Sequence, residues 1–91
     1  MINAFHGKAW KEYLNWQKED KKTIIKIHSL IKGVSRNDFE TIGKPEKLKH
    51  DLAGWLSLHI DKKNRLVYKI TRHDDKIFME ILSCKNHYSD T

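Results

Sequence analysis

The chain has 91 residues, 38% of them hydrophobic and 33% charged, with only four Gly and one Pro. A chain this short buries roughly 60–65% of its unfolded surface, so one domain over residues 1–91 with one modest core is expected, and disorder, collagen and low-complexity chains are excluded. Eighteen Lys and Arg against twelve Asp and Glu give a net charge of +6 and favour a polyanionic partner, nucleic acid first.

Residues 1–5 have the alternation of a short strand. From Lys8 to about Asp20 the apolar residues recur at helical spacing, with Trp10, Tyr13, Leu14 and Gln17 on one stripe and Trp16 off it, packing under a neighbouring element. A second helix is expected from Asp20 to about Lys32. Asp20 suits its N-cap, Ile24, Ile27, His28, Ile31 and Val34 form its apolar face, and Gly33 suits the left-handed residue after its end. The short joint at Glu19–Lys22 implies a helical hairpin. His28 on the apolar face reads as a packed histidine.

Arg36-Asn37-Asp38 is turn-like, and Gly43-Lys44-Pro45-Glu46 combines a Gly with the only Pro, a rigid loop that can aim Glu46. From Trp55 the period becomes two. Strands are expected at about 55–60, 65–70 and 76–85, joined by Asp61-Lys62-Lys63-Asn64 and Arg72-His73-Asp74-Asp75. The third is apolar on both faces and should lie inside the sheet. Two helices followed by an antiparallel meander is an α+β pattern.

Other function classes recede. No apolar run approaches the ~18 residues that cross a membrane. Residues 1–7 lack the basic and apolar regions of a secretory signal. One cysteine, Cys84, allows no internal disulfide, so a cytoplasmic protein is expected, and Cys84 reads as buried rather than nucleophilic. No His-x-x-x-His or Cys-x-x-Cys spacing points to a metal, and nothing implies a cofactor.

Alternation turns Leu56, Leu58, Ile60, Leu66, Tyr68 and Ile70 toward the helices, and Ser57, His59, Arg65, Val67 and Lys69 the other way. A cationic sheet face can seat a phosphodiester. Glu46, among Lys44, Lys47 and Lys49, and His87, just past a strand end, could reach that face. Such a set would suffice to cleave RNA without metal. A base takes the 2′-hydroxyl proton, an acid protonates the leaving 5′-oxygen, and fixed positive charge stabilises the phosphorane. Glu46, His87 and Arg65 can fill those roles, with His59, Lys44, Lys47, Lys49 and Lys69 holding substrate. Taken singly, Glu46 also reads as a solvated charge, Arg65 as half of a surface ion pair, and His87 as an exposed histidine.

Four blocks, in order, carry a family resemblance: Trp10-Lys11-Glu12-Tyr13-Leu14-Asn15-Trp16-Gln17 with Asp20-Lys21-Lys22, Gly43-Lys44-Pro45-Glu46-Lys47-Leu48-Lys49-His50, Arg65-Leu66-Val67-Tyr68, and Cys84-Lys85-Asn86-His87-Tyr88. Together they resemble the YoeB-type toxins of the RelE/ParE superfamily, the mRNA interferases of type II toxin–antitoxin systems, over nearly the whole chain. The resemblance implies two antiparallel helices packed on a four-stranded, mainly antiparallel twisted sheet. It implies a metal-independent endoribonuclease that cuts mRNA on the ribosome, inhibits translation, and leaves a 2′,3′-cyclic phosphate and a 5′-hydroxyl. It implies a YefM-like antitoxin partner, operator DNA bound only through the antitoxin complex, no membrane partner, and toxins that can pair as homodimers. Glu46 resembles the general base, Arg65 the phosphate-stabilising arginine, His87 the general acid and Tyr88 the adjacent aromatic; the acid–base order stays open.

The sequence departs from the family where it matters. His59 stands where a second phosphate-clamping arginine is expected, Asn64 where a histidine is usual, and Asn86 where an aromatic precedes the terminal His-Tyr. A neutral histidine lacks arginine's permanent charge and bidentate fork. The expectation is a weakened nuclease, more active at mildly acidic pH, with a non-cleaving ribosome- or RNA-binding inhibitor as the alternative. A ParE-like action on DNA gyrase is disfavoured by the intact Glu46, Arg65, His87 and Tyr88 set.

Overall fold

The structure, a computed structural model, describes residues 1–86. The elements run β1 (Ile2–Phe5), α1 (Gly7–Glu19), α2 (Lys21–Ser35), α3 (Phe39–Ile42), β2 (Glu46–Lys47), a 3₁₀ turn (His50–Leu52), β3 (Leu56–His59), β4 (Arg65–His73) and β5 (Lys76–Ser83). The strands form one sheet in the order β1-β5-β4-β3-β2, with β1 parallel to β5 and the other pairs antiparallel. The α+β class and the interior place of β5 are as expected. The expected four strands become five, because the two charged residues Glu46 and Lys47 pair with β3. A dipeptide pairing leaves no periodicity to read.

Asp20 joins α1 to α2 alone. Its carboxylate accepts the amides of Lys22 and Thr23 and the Thr23 hydroxyl, which satisfies two otherwise orphaned amides at the start of α2. The Thr23 hydroxyl leads the effects that hold the Asp20 carboxyl below its usual range. Helix α2 buries Ile27, Leu30, Ile31 and Val34 on the sheet, against Leu58, Ile60, Leu66, Tyr68, Met79 and Ile81. Each such aliphatic side chain contributes about 1.5–3 kcal/mol of transfer free energy.

Three details of the helices differ from the sequence reading. The buried face of α1 is Ala9 and Glu12 with half-buried Tyr13 and Trp16, while Trp10 and Leu14 stay 47% and 39% exposed. Small Ala9 meets the core, and buried Glu12 makes the true face look polar. His28 is exposed, its ring hydrogen-bonded to the Tyr13 hydroxyl at 2.7 Å across the helix pair. Gly33 lies inside α2, which runs on to Ser35, and Asn37 takes the left-handed conformation (φ 57°) beyond the helix. The absent side chain at Gly33 makes room for Ile42 of α3, because a Cβ there would stand 2.8 Å from Ile42 Cδ1.

In the meander, Asp74 and Asp75 both take positive φ and turn β4 into β5, the geometry of a two-residue hairpin loop. Strand β4 therefore runs to His73, beyond the expected end at Ile70. Ile70 is on the expected face, but 45% exposed; alternation fixes the face and not what covers it. A register shift beside Val67 and Tyr68 changes parity in β5. Met79 and Ile81 point into the core, and after the shift Cys84 does so too.

Candidate active site

Three strands, β2 and the β3–β4 hairpin, bring their side chains together on the sheet face opposite the helices. Glu46 pairs with Ser57, and His59 pairs with Arg65. Residues paired across strands share a face, and so do residues two apart. Glu46, Ser57, His59 and Arg65 therefore project together, while the neighbouring Leu58–Leu66 pair points into the core. Gly43 enters this region at φ 93° and ψ 159°, a conformation essentially restricted to glycine. It turns the chain so that Pro45 leads straight into β2.

Glu46 and His59 are exposed, with Glu46 Oε1 3.5 Å from His59 Nε2. Arg65 is half-buried, and its Nη1 donates to the carbonyls of Asp61 (2.9 Å), Lys62 (3.3 Å) and Asn64 (3.2 Å). The turn that offers those carbonyls is itself wound around Asp61. That carboxylate accepts the amides of Lys63 (2.8 Å) and Asn64 (2.7 Å) and the side-chain Nδ2 of Asn64. Burial pushes the Asp61 carboxyl up, but the bonds from Asn64 and Lys63 and the charge of Arg65 outweigh it and hold it below its usual value. The guanidinium has five N–H donors. Among the described residues Nε and Nη2 make no hydrogen bond, so within them the fork is anchored at one nitrogen.

From Ser57 of this cluster a buried row runs in register across the sheet through Val67 to Ser83. The Ser83 hydroxyl there has no hydrogen-bond partner among the described residues. Beyond it Lys69 Nζ stands 4.5 Å over the Trp55 ring, and the His6 ring meets Trp55 edge-on at 5.5 Å. His6 Nε2 also lies 3.0 Å from Glu80 Oε1, and this bond leads the effects that keep the Glu80 carboxyl below its usual range.

The other expected substrate residues are spread more widely. Lys69 shares the face of Arg65, four strand positions away, and rests on Trp55. Lys47 pairs with core-facing Leu56 and falls on the opposite face from Glu46. It lines a groove of 470 Å³ with Leu48, Trp55, Leu56, Lys69 and Ile70. Lys44 and Lys49 are exposed in the loops on either side of β2. His87 and Tyr88 lie outside the described residues. A larger groove of 650 Å³, which includes Phe5, Tyr13, Ile25 and His28, holds none of the expected site residues. Among the described residues no group of three His, Cys, Asp or Glu is placed to hold a metal ion, and no helix is long and apolar enough to cross a membrane.

Sequence reasoning placed Asp61 and Asn64 in a hairpin loop and marked Asn64 as a departure from the family, but gave neither a part in holding Arg65. The available signal was the Asp-x-x-Asn spacing of the hairpin, the pattern of a side chain bonding its own turn.

Known proteins agree with this architecture. Residues 5–88 match the family model described as the YoeB-like toxin of bacterial type II toxin–antitoxin systems. The toxin YoeB of Escherichia coli is 46% identical over 80 residues, 88% of this chain and 90% of that one. The structure of a YoeB/ParE toxin from Agrobacterium tumefaciens superposes with a TM-score of 0.87 at 34% identity, covering 97% of this chain and all of that one. The YoeB of Staphylococcus aureus, solved as a dimer and as a heterotetramer with YefM, gives TM-scores of 0.80 and 0.81 at 43% and 42% identity, covering 97% of this chain and 98% of each. With the motif blocks in register and the sheet order in place, the chain belongs to the YoeB-like toxin family of bacterial type II toxin–antitoxin systems.

Proposed function

We propose that this chain is a ribosome-dependent endoribonuclease that arrests translation by cutting mRNA. The observation that carries the reading is the convergence of Glu46, His59 and Arg65, from β2, β3 and β4, on one sheet face. Glu46 takes the proton of the 2′-hydroxyl, whose oxygen attacks the adjacent phosphorus. The Arg65 guanidinium stabilises the negative charge that builds on the phosphorane. The bond to the 5′-oxygen breaks and His87 protonates that oxygen, leaving a 2′,3′-cyclic phosphate and a 5′-hydroxyl. Tyr88 shapes the site beside His87. The exposed Lys44 and Lys49, together with Lys69 and the overall +6 charge, draw in the RNA, and Lys47 contributes from the groove side.

The toxin acts in the cytoplasm, where ribosomes are. A YefM-like antitoxin neutralises it, as supported by the Staphylococcus aureus complex, and the antitoxin complex carries operator binding. The Staphylococcus aureus dimer supports pairing of this chain with itself. His59 favours one competing reading, an inhibitor that occupies the ribosome without cutting, because a second arginine is missing from the phosphate clamp. Primer extension on translating ribosomes separates the two. New 5′ ends within the mRNA are expected; translation arrest without them would overturn the nuclease reading.

A further inference from the structure

Two of the positions at which this chain departs from its family, Asn64 and Asn86, touch each other. The Asn86 amide donates to Asn64 Oδ1 at 2.8 Å, and the Arg65 amide donates to the Asn86 carbonyl at 3.0 Å. Asn86 thus continues the pairing of β4 past the end of β5, with a side-chain oxygen standing in for a backbone carbonyl. Its φ of 69° is a conformation that asparagine tolerates better than most residues. The same Asn64 donates its Nδ2 to both Asp61 oxygens, and its own carbonyl accepts Arg65 Nη1. One side chain therefore ties the hairpin turn, and the turn cages Arg65, while its other end takes up the terminal segment.

That segment is gripped once more just upstream. All three polar groups of Cys84 are engaged by α1: its amide donates to Glu12 Oε1 (2.8 Å), its thiol to the Ala9 carbonyl (3.7 Å), and its carbonyl accepts Trp16 Nε1 (2.9 Å). Two successive anchors, at Cys84 and at Asn86, set where the chain stands before its last five residues. His87 is one peptide bond beyond the second anchor.

We propose that Asn64 is a positioning residue that locks Asn86 to the hairpin presenting Arg65, so that the turn caging the phosphate-stabilising group is held in place by one tether. Its catalytic consequence rests on the ribonuclease reading above; the tether itself does not. A single side chain holding the turn and Asn86 together keeps Arg65 in place, and misplacement on the ångström scale is enough to cost about 10²-fold in rate.

The test pairs amide hydrogen exchange at Asn86 with single-turnover mRNA cleavage on programmed ribosomes, for wild type, Asn64→Ala and Asn64→Asp. In Asn64→Ala the Asn86 amide is expected to exchange roughly two- to tenfold faster, the loss of one hydrogen bond. Its maximal cleavage rate should fall roughly ten- to hundredfold while the concentration for half-maximal rate stays within about twofold. Asn64→Asp keeps an acceptor facing Asn86 and is expected to recover the Asn86 protection. Unchanged Asn86 exchange in Asn64→Ala, or an unchanged cleavage rate, overturns the proposal. If wild type cuts no mRNA, the ribonuclease reading falls, and the exchange measurement alone decides whether the tether exists.

Discussion

Replacing Arg65 tests the phosphate-stabilising role most directly. In the proposed site the side chain does two jobs: Nη1 is bound to three turn carbonyls, and Nε and Nη2, without a hydrogen bond among the described residues, serve the substrate. Arg65→Ala removes both. The carbonyls left behind sit at an exposed turn and return to water, so the folding cost is about 1 kcal/mol. For a domain of this size that lowers the melting temperature by about 4–8 °C, leaving the protein folded at assay temperature. The chemical cost is larger, because removing one preorganised donor from an anionic transition state costs about 10²–10³ in rate. Arg65→Lys keeps the charge but not the fork, and should fall between, about tenfold or more below wild type. Single-turnover cleavage on ribosomes, with thermal melts as the folding control, reads both numbers. Cleavage by Arg65→Ala within about threefold of wild type, on a protein shown to be folded, would refute the assigned role.

Three further outcomes follow from the site and its supports. His59→Arg places a permanent charge and a bidentate fork opposite Arg65, and single-turnover cleavage should rise by about tenfold; a variant no faster than wild type would show that His59 is not what weakens the site. Asp61 titrates below its usual value of 3.8 in the folded chain. A depressed folded-state pKa stabilises the hairpin in full above the unfolded value, and that gain is lost as pH falls through the folded value. Melting temperatures of wild type and Asp61→Asn should therefore converge as pH drops from 6 toward 2, and a gap that widened would contradict the turn network. Cys84 is fully buried, and burial together with the Glu12 charge pushes its thiol up to about 12. It should resist iodoacetamide at pH 8 until denaturant is added; prompt labelling of the native protein would disprove its burial against α1.

Strands β1, β3, β4 and β5, the Ile27, Ile31 and Val34 part of the α2 face and the Asp20 cap were legible because each is a local matter of period or of a side chain bonding its own backbone, whereas exposed His28 and buried Leu30 were misplaced. The face of α1 was not. A glutamate whose partner, the Cys84 amide, lies 72 residues away cannot be recognised as buried from its own neighbourhood. Gly33 misled for a similar reason, since its contact with Ile42 depends on α3, a single helical turn that the sequence did not signal.

The same division runs through the site. Residue type, alternation and the motif blocks were enough to name Glu46, His59 and Arg65 and to put His59 and Arg65 on one face, because strand geometry is periodic. Bringing Glu46 beside them needed β2, a two-residue pairing with no pattern of its own. Turning Lys47 away from Glu46 followed from that same pairing, and joining Asn64 to Asn86 needed the close of the sheet. Charge and chemistry belong to the residues themselves, whereas which of them meet is decided by hydrogen bonds between segments far apart in the chain.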